Sequence, residues 1–331
     1  MPTRELTMHS RRVLMLSVVT AAGLAVSACS SLPDISQPVS GSYACGQLDI
    51  AVSGNEDSDL ISVDYLDRRV LLKPEESASG ALYIAPGDDQ TRFWSKGEKA
   101  TLTIRGQTYP ECLQPGDLEM PFEARGNEPF WHATLEQGEL LLTRPFEEQG
   151  TRRVPVELKT ANRHGREFVA TLDGVPIALT VARQLCQDSM SGAQYPAQVR
   201  LMVGNDEYTG CGGDRQRLFR GAVWVVEDLA GTGIIDRSRI TIEFLEDNRL
   251  AGRASCNRYT GTYQLRGEGV AIGPLASTRM ACAPALMNQE DRFLGLLGEV
   301  TSVRIGQHGE LLLSTPDGGT MRAFQSDHDS P

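Results

Sequence analysis

Along most of the chain, apolar and polar residues alternate over short stretches that end in turn residues. Glu139 to Leu142, Val154 to Leu158 and Phe168 to Leu172 read as strands of this kind, and Ile240-Thr-Ile-Glu-Phe-Leu repeats the period of two further on. Between Ser77 and Ala100 the pattern predicts two strands around a polar, mobile tip. Tyr83, Phe93 and Trp94 suit a half-buried strand, while Gly80 and Pro86-Gly87-Asp88-Asp89 supply turn chemistry. One segment has helical spacing instead. From Pro284 to Leu297, proline sits in the first turn and Leu286, Phe293, Leu294 and Leu297 share a face, with Glu290 and Asp291 expected to turn away. The pattern as a whole predicts a mainly β chain of three small antiparallel β-barrel or β-sheet modules, the last with one helix.

The start of the chain follows a different rule. Arg4, Arg11 and Arg12 precede an apolar run from Val13 to Val26, which is short for a membrane span and has the form of a secretory signal. It ends Val26-Ser27-Ala28-Cys29, which resembles the bacterial lipobox. On that resemblance residues 1–28 are a lipoprotein signal peptide and Cys29 is the lipidated mature N-terminus; an ordinary signal peptide with a nearby cysteine is the alternative. Ser30 and Ser31, rather than Asp, follow the cysteine, which by lipoprotein sorting rules implies the outer membrane, with the protein on its periplasmic face. Residues 29–41 are rich in Ser and Pro and read as a flexible lipidated tether. Residues 327–331 read as a disordered tail.

Composition narrows the picture further. A chain of 331 residues that is 40% hydrophobic but only 6% aromatic fits several small cores better than one large one, and 33 glycines and 17 prolines favour many short strands. The formal charge of −11 disfavours nucleic acid and anionic lipid as partners and favours encounter with a basic protein. Seven cysteines would leave one thiol unpaired in an oxidising compartment, and lipidation of Cys29 removes that odd thiol. The other six allow about 15 connectivities. Each adjacent pair falls within one candidate segment, so the expected disulfides join Cys45 to Cys112, Cys186 to Cys211 and Cys256 to Cys282, each contributing roughly 3 to 4 kcal/mol by loop closure. Metal binding is the competing reading, but no Cys-x-x-Cys occurs and no cysteine lies close to a histidine. Catalytic signatures are missing as well: no Gly-x-Ser-x-Gly elbow, His-Glu-x-x-His or phosphate-cradling glycine loop is present, and the five histidines are scattered. The expectation is a non-enzyme with no cofactor.

Three resemblances give these modules an expected function. Ser-x-Ser-Gly-x-x-Tyr from Ser77 and Phe-Trp-x-Lys-Gly-x-x-Ala from Phe93 lie inside the Cys45 and Cys112 pair, with Val63 and Tyr65 in a Val-x-Tyr. From Tyr43 to Cys112 the sequence resembles the membrane-bound inhibitor of C-type lysozyme, the MliC family. That resemblance implies a small antiparallel β-barrel over residues 42–113 that inserts a loop into the lysozyme cleft, with Ser79 and Lys96 as its functional pair. The chemistry is plain. Lysozyme uses one protonated and one ionised carboxyl group, and an ammonium placed between them would favour ionisation of both.

Residues 117–217 carry Gly126-Asn-Glu-Pro-Phe-Trp131 and Met190-Ser-x4-Tyr195-Pro, and resemble an uncharacterised envelope domain of bacterial lipoproteins. A ligand site there would gather Glu128, Trp131, Asp188 and Tyr195; the plainer reading makes Trp131 core and the others turn caps. Residues 218–326 carry Trp224, Cys256-Asn-Arg-Tyr-Thr-Gly and Thr278-Arg-Met-Ala-Cys282, and resemble the META domain of the heat-inducible protein HslJ, which is associated with stress and drug tolerance. Asn257, Arg258 and Thr278 are its candidate polar residues, with Asn257 more simply holding a tight turn. The expected protein is therefore an outer-membrane lipoprotein that inhibits C-type lysozyme. The alternative is an HslJ-like structural or stress-response lipoprotein without that activity, and a third reading is a ligand-binding or enzymatic lipoprotein that uses the middle module.

Overall fold

A computed structural model describes residues 40–55, 58–143, 150–267 and 269–326. The expected signal peptide, Cys29, nearly all of the expected tether and the expected tail lie outside the described residues. The chain is mainly β, in three barrel-like antiparallel modules.

The first module runs β1 (Gly41–Cys45), β2 (Leu48–Asn55), β3 (Ser58–Tyr65), β4 (Arg68–Glu75), β5 (Ala81–Ala85), β6 (Asp88–Lys96), β7 (Lys99–Ile104), β8 (Gln107–Thr108) and β9 (Cys112–Leu113). Each strand from β1 to β7 pairs antiparallel with the next, while β9 pairs with both β1 and β7. The ring therefore closes, and closure removes the exposed edges that an open sheet must protect. Alternate side chains fill it, among them Tyr43, Ile61, Leu72, Phe93 and Leu102, with Phe93 edge-on to Tyr43 at 5.6 Å. Cys45 and Cys112 stand opposite each other in β1 and β9 and are bonded.

Because successive strands run up and down, successive turns fall at opposite poles of this barrel. The β4–β5 and β6–β7 connections share one pole. The β1–β2, β3–β4, β5–β6 and β7–β8 turns share the other. The expected mobile tip at Pro86–Asp89 is a pinned turn: the pairing shifts between Ile84 and Ala85, so that β6 bulges. Asp88 accepts from the Gln90 N–H (3.0 Å) and from the Thr91 hydroxyl (2.6 Å), which fixes the bulge. A short acidic side chain that satisfies neighbouring donors rigidifies a loop that composition alone marks as loose.

The second module is a nine-stranded sheet whose edge strands, Thr151–Pro155 and Glu157–Asn162, are neighbours in the chain. Its core centres on Trp131, Leu140, Leu179 and Leu201. Gly126 and Gly210 flank the indole so closely that a Cβ on either would lie within 2.8 Å of the ring. The third module is a ten-stranded sheet with the helix Pro284–Gly298, and a bond from the Val270 N–H to the Thr301 carbonyl (2.9 Å) links its two ends.

The helix requires a correction. Phe293 and Leu297 are buried and Leu286 and Leu294 half-buried, as expected, but Glu290 also faces inward and is only 6% exposed. Its carboxylate accepts from the backbone N–H groups of Cys256 (3.1 Å) and Asn257 (2.7 Å) and from the Asn257 amide (2.8 Å). The physical reason is that a buried turn leaves donors which water cannot reach, and a carboxylate satisfies three of them at once.

A short 3-10 turn, Arg215–Leu218, and the residues after it join the modules. Arg217 donates to the Glu111 carbonyl (2.8 Å) and the Ala44 carbonyl (3.0 Å) of the first barrel, with the Glu119 carboxylate at 3.7 Å. The Gln47 N–H donates to the Arg220 carbonyl (2.8 Å) where Gly46 and Gly221 allow the backbones to meet; a Cβ on either glycine would lie 2.4 Å from a carbonyl oxygen across the seam. Gln194 of the middle module exchanges two hydrogen bonds with the backbone of Ile305 in the third, at 2.9 and 2.6 Å.

Candidate functional site

The β4–β5 loop brings Ser79 beside the end of β6. Ala81 pairs with Ser95, so Gly80 falls opposite Lys96. Gly80 has φ +69°, and a Cβ there would lie 2.3 Å from the Ser95 carbonyl and 3.3 Å from Lys96 Cβ. Only glycine makes this left-handed, close approach without strain. The loop is held from two sides. The Trp94 indole N–H donates to the Ser79 carbonyl (2.9 Å), and the Ser77 hydroxyl lies 2.9 Å from the carbonyls of Ser79 and Gly80.

Strand β6 alternates strictly near its end, with Phe93 and Ser95 inward and Trp94 and Lys96 outward. Lys96 is exposed, Ser79 is exposed, and among the described residues neither the Lys96 ammonium nor the Ser79 hydroxyl has a partner within the chain. The structure thus brings the two residues singled out by the sequence motifs together on an open pole. What sequence reasoning missed is their support. Trp94, read as a half-buried strand residue, anchors the loop by its indole N–H. Two residues beyond Lys96, the Glu98 carboxylate pairs with Arg166 of the middle module at 3.1 Å, so a neighbouring module steadies the β6–β7 turn. No motif signals a contact between residues 68 positions apart.

The middle-module candidates do not converge. Trp131 is fully buried and donates to the Thr209 carbonyl (3.2 Å), and Glu128 is exposed. Tyr195 is buried beneath the guanidinium groups of Arg125 and Arg215, each 5.7 Å from its ring. Asp188 caps a turn: burial pushes its carboxyl up, but hydrogen bonds from the Ser191 N–H and hydroxyl and from the Asn127 amide hold it below the ordinary range. In the third module Asn257 is buried, and its amide oxygen accepts from the Thr278 hydroxyl and the Met280 N–H. That arrangement is a tight turn fastened to the Cys256–Cys282 disulfide.

The fold and site together define a disulfide-braced, closed β-barrel that presents a lysine and a serine, fused to two further β modules. Residues 43–110 match the family described as membrane-bound lysozyme-inhibitor of c-type lysozyme, and residues 217–328 match the META domain family. The chain carries one domain of each. Among solved structures, a protein from Burkholderia xenovorans determined by NMR is 25% identical over 34% of this chain and 86% of its own, with a TM-score of 0.29. A second protein determined by NMR is 26% identical over 32% of this chain and 90% of its own, with a TM-score of 0.28. A comparison with curated proteins returns no match.

Proposed function

We propose that this chain is a non-enzymatic lipoprotein, anchored through Cys29 to the periplasmic face of the outer membrane, that inhibits C-type lysozyme. Lys96 and Ser79 enter the active-site cleft, where the ammonium keeps both catalytic carboxyl groups ionised and the serine hydroxyl donates to one of them. The acid then has no proton to give, and the cleft is blocked. The observation that carries the reading is the unpartnered, exposed Lys96 held next to Ser79 by the Gly80 approach and the Trp94 bond. A cation already paired inside the chain would have to break that pair to act. The net charge of −11 supports encounter with a basic enzyme.

A second reading makes the META module the working part, in envelope stress tolerance, with the barrel as its scaffold; the extensive seam between the first and third modules favours it. Titrating the full-length protein into a C-type lysozyme lysis assay decides between them. The expected result is saturable inhibition that weakens at least about tenfold in Lys96→Ala and less in Ser79→Ala, in line with the loss of a charge-assisted contact. An unchanged lysis rate with excess wild-type protein removes the inhibitor reading, and equal potency of the variants moves the site elsewhere.

A further inference from the structure

At the pole of the barrel opposite Ser79 and Lys96, the first and third modules enclose a crevice of about 510 Å³. This falls within the roughly 300–1,000 Å³ of ordinary small-ligand sites. In a chain of charge −11, its lining contains Arg68, Arg105, Arg239, Arg253 and Arg258 against a single carboxylate, Glu243. Arg239 is engaged, donating to the Ser326 hydroxyl at 2.7 Å. By contrast, among the described residues the guanidinium groups of Arg105, Arg253 and Arg258 have no partner in the chain.

Two features show that these cations are placed rather than scattered. Arg253 and Arg258 stand directly opposite each other across an antiparallel pair, where like charges repel. Arg105 occupies a two-residue hairpin turn with φ +50°, followed by Gly106 at φ +80°. That turn is clamped by the β6 bulge: the Arg105 N–H donates to the Thr91 hydroxyl (2.9 Å) and the Gly106 N–H to the Gln90 carbonyl (2.9 Å). The polar stretch after Pro86 thus fixes the arginine turn of the first module, which lines the same crevice as the arginine pair of the third.

We propose that this crevice binds a phosphate-bearing anion of the diphosphate class, free or as a lipid headgroup. Guanidinium forks pair bidentately with phosphate oxygens, and three of them converging from two modules match a ligand with two adjacent phosphoryl groups. Binding relieves the Arg253–Arg258 repulsion and ties the two modules together at a second place beside the Arg217 seam. The site is separate from the proposed lysozyme-binding pole.

The test is calorimetric titration of the full-length protein with inorganic pyrophosphate, with sulfate at equal ionic strength as control. A parallel arm measures co-sedimentation with phosphatidylcholine vesicles doped with diacylglycerol pyrophosphate, whose headgroup carries two adjacent phosphoryl groups. The expected result is one saturable pyrophosphate site per chain, weakened about tenfold by Arg253→Ala and further by Arg253→Ala/Arg258→Ala. Arg105→Ala reports the same loss from the other module. These side chains are exposed and the Arg253–Arg258 pair is repulsive, so the variants melt no lower than wild type and keep their lysozyme inhibition. Binding to the doped vesicles alone, lost in the same variants, sustains the site with a lipid headgroup as its source. No binding in either arm, binding unmoved by the double variant, or an equal response to sulfate overturns the proposal.

Discussion

Glu290 shows how a single residue organises a module. Its carboxylate serves three donors in the Cys256–Asn257 turn, so Glu290→Ala leaves buried N–H groups unsatisfied and is expected to cost about 3 to 5 kcal/mol. Glu290→Gln retains one acceptor oxygen and loses less. Urea unfolding followed by Trp fluorescence checks the order, and equal stability of the alanine variant and wild type would refute the role. The inward placement was legible in the spacing. Glu290 lies four residues after Leu286 and three and four before Phe293 and Leu294, on the stripe those residues define. Its charge alone suggests solvent, but periodicity decides the direction of a helical side chain, and charge only states what the neighbours must supply. Ser79 and Lys96 were named on the resemblance to the lysozyme-inhibitor family; their proximity comes from the close approach of Gly80 to the end of β6.

At the scale of elements, strands were legible wherever one face is buried, because alternation follows directly from the pleat. Barrel closure was not. The two-residue strand Cys112–Leu113 that links β1 to β7 is too short to show any period. The pinned β5–β6 turn was also hidden, because the hydrogen bonds of Asp88 depend on a bulge that sequence does not announce. The β6–β7 turn carries a prediction of its own. Glu98 is largely exposed, and Arg166, though mostly buried, keeps its other partner Asp117 at 2.9 Å, so Glu98→Ala is expected to change stability by no more than about 1 kcal/mol. On the lysozyme-inhibitor reading, the same change frees the turn beside Lys96 and weakens inhibition a few-fold. Paired melting and lysis measurements test this, and a variant with full potency would show that Arg166 does not steady the site.

Across the whole molecule, local disulfide pairing was legible, because each pair closes a loop within one module, and all three bonds are formed. The packing of the modules was not. Arg217 and Arg220 lie in a stretch, Asp214 to Gly221, that reads as a connector, and the contacts of Arg217 and of Gln194 run to backbone groups that every sequence possesses. The seam also makes stability depend on pH. Burial pushes the Glu119 carboxyl above its ordinary range, and Arg217 only partly offsets this. The folded state therefore holds that proton more tightly than the unfolded one. Its contribution to stability is fully present below the ordinary glutamate value and is lost as pH rises through the raised one. Relative to wild type, Glu119→Gln should gain stability on going from acid to neutral pH, as read from urea midpoints; parallel curves for the two proteins would contradict the raised carboxyl.

The up-and-down course of the first barrel has one more effect. A hairpin lengthened or reshaped at the Ser79 pole leaves the strand registers that lead to the welded pole as they were. On the lysozyme-inhibitor reading, loops there can diverge while the junction with the META module stays constant, so one region of a single small domain can track a changing opponent as the other keeps the assembly in place.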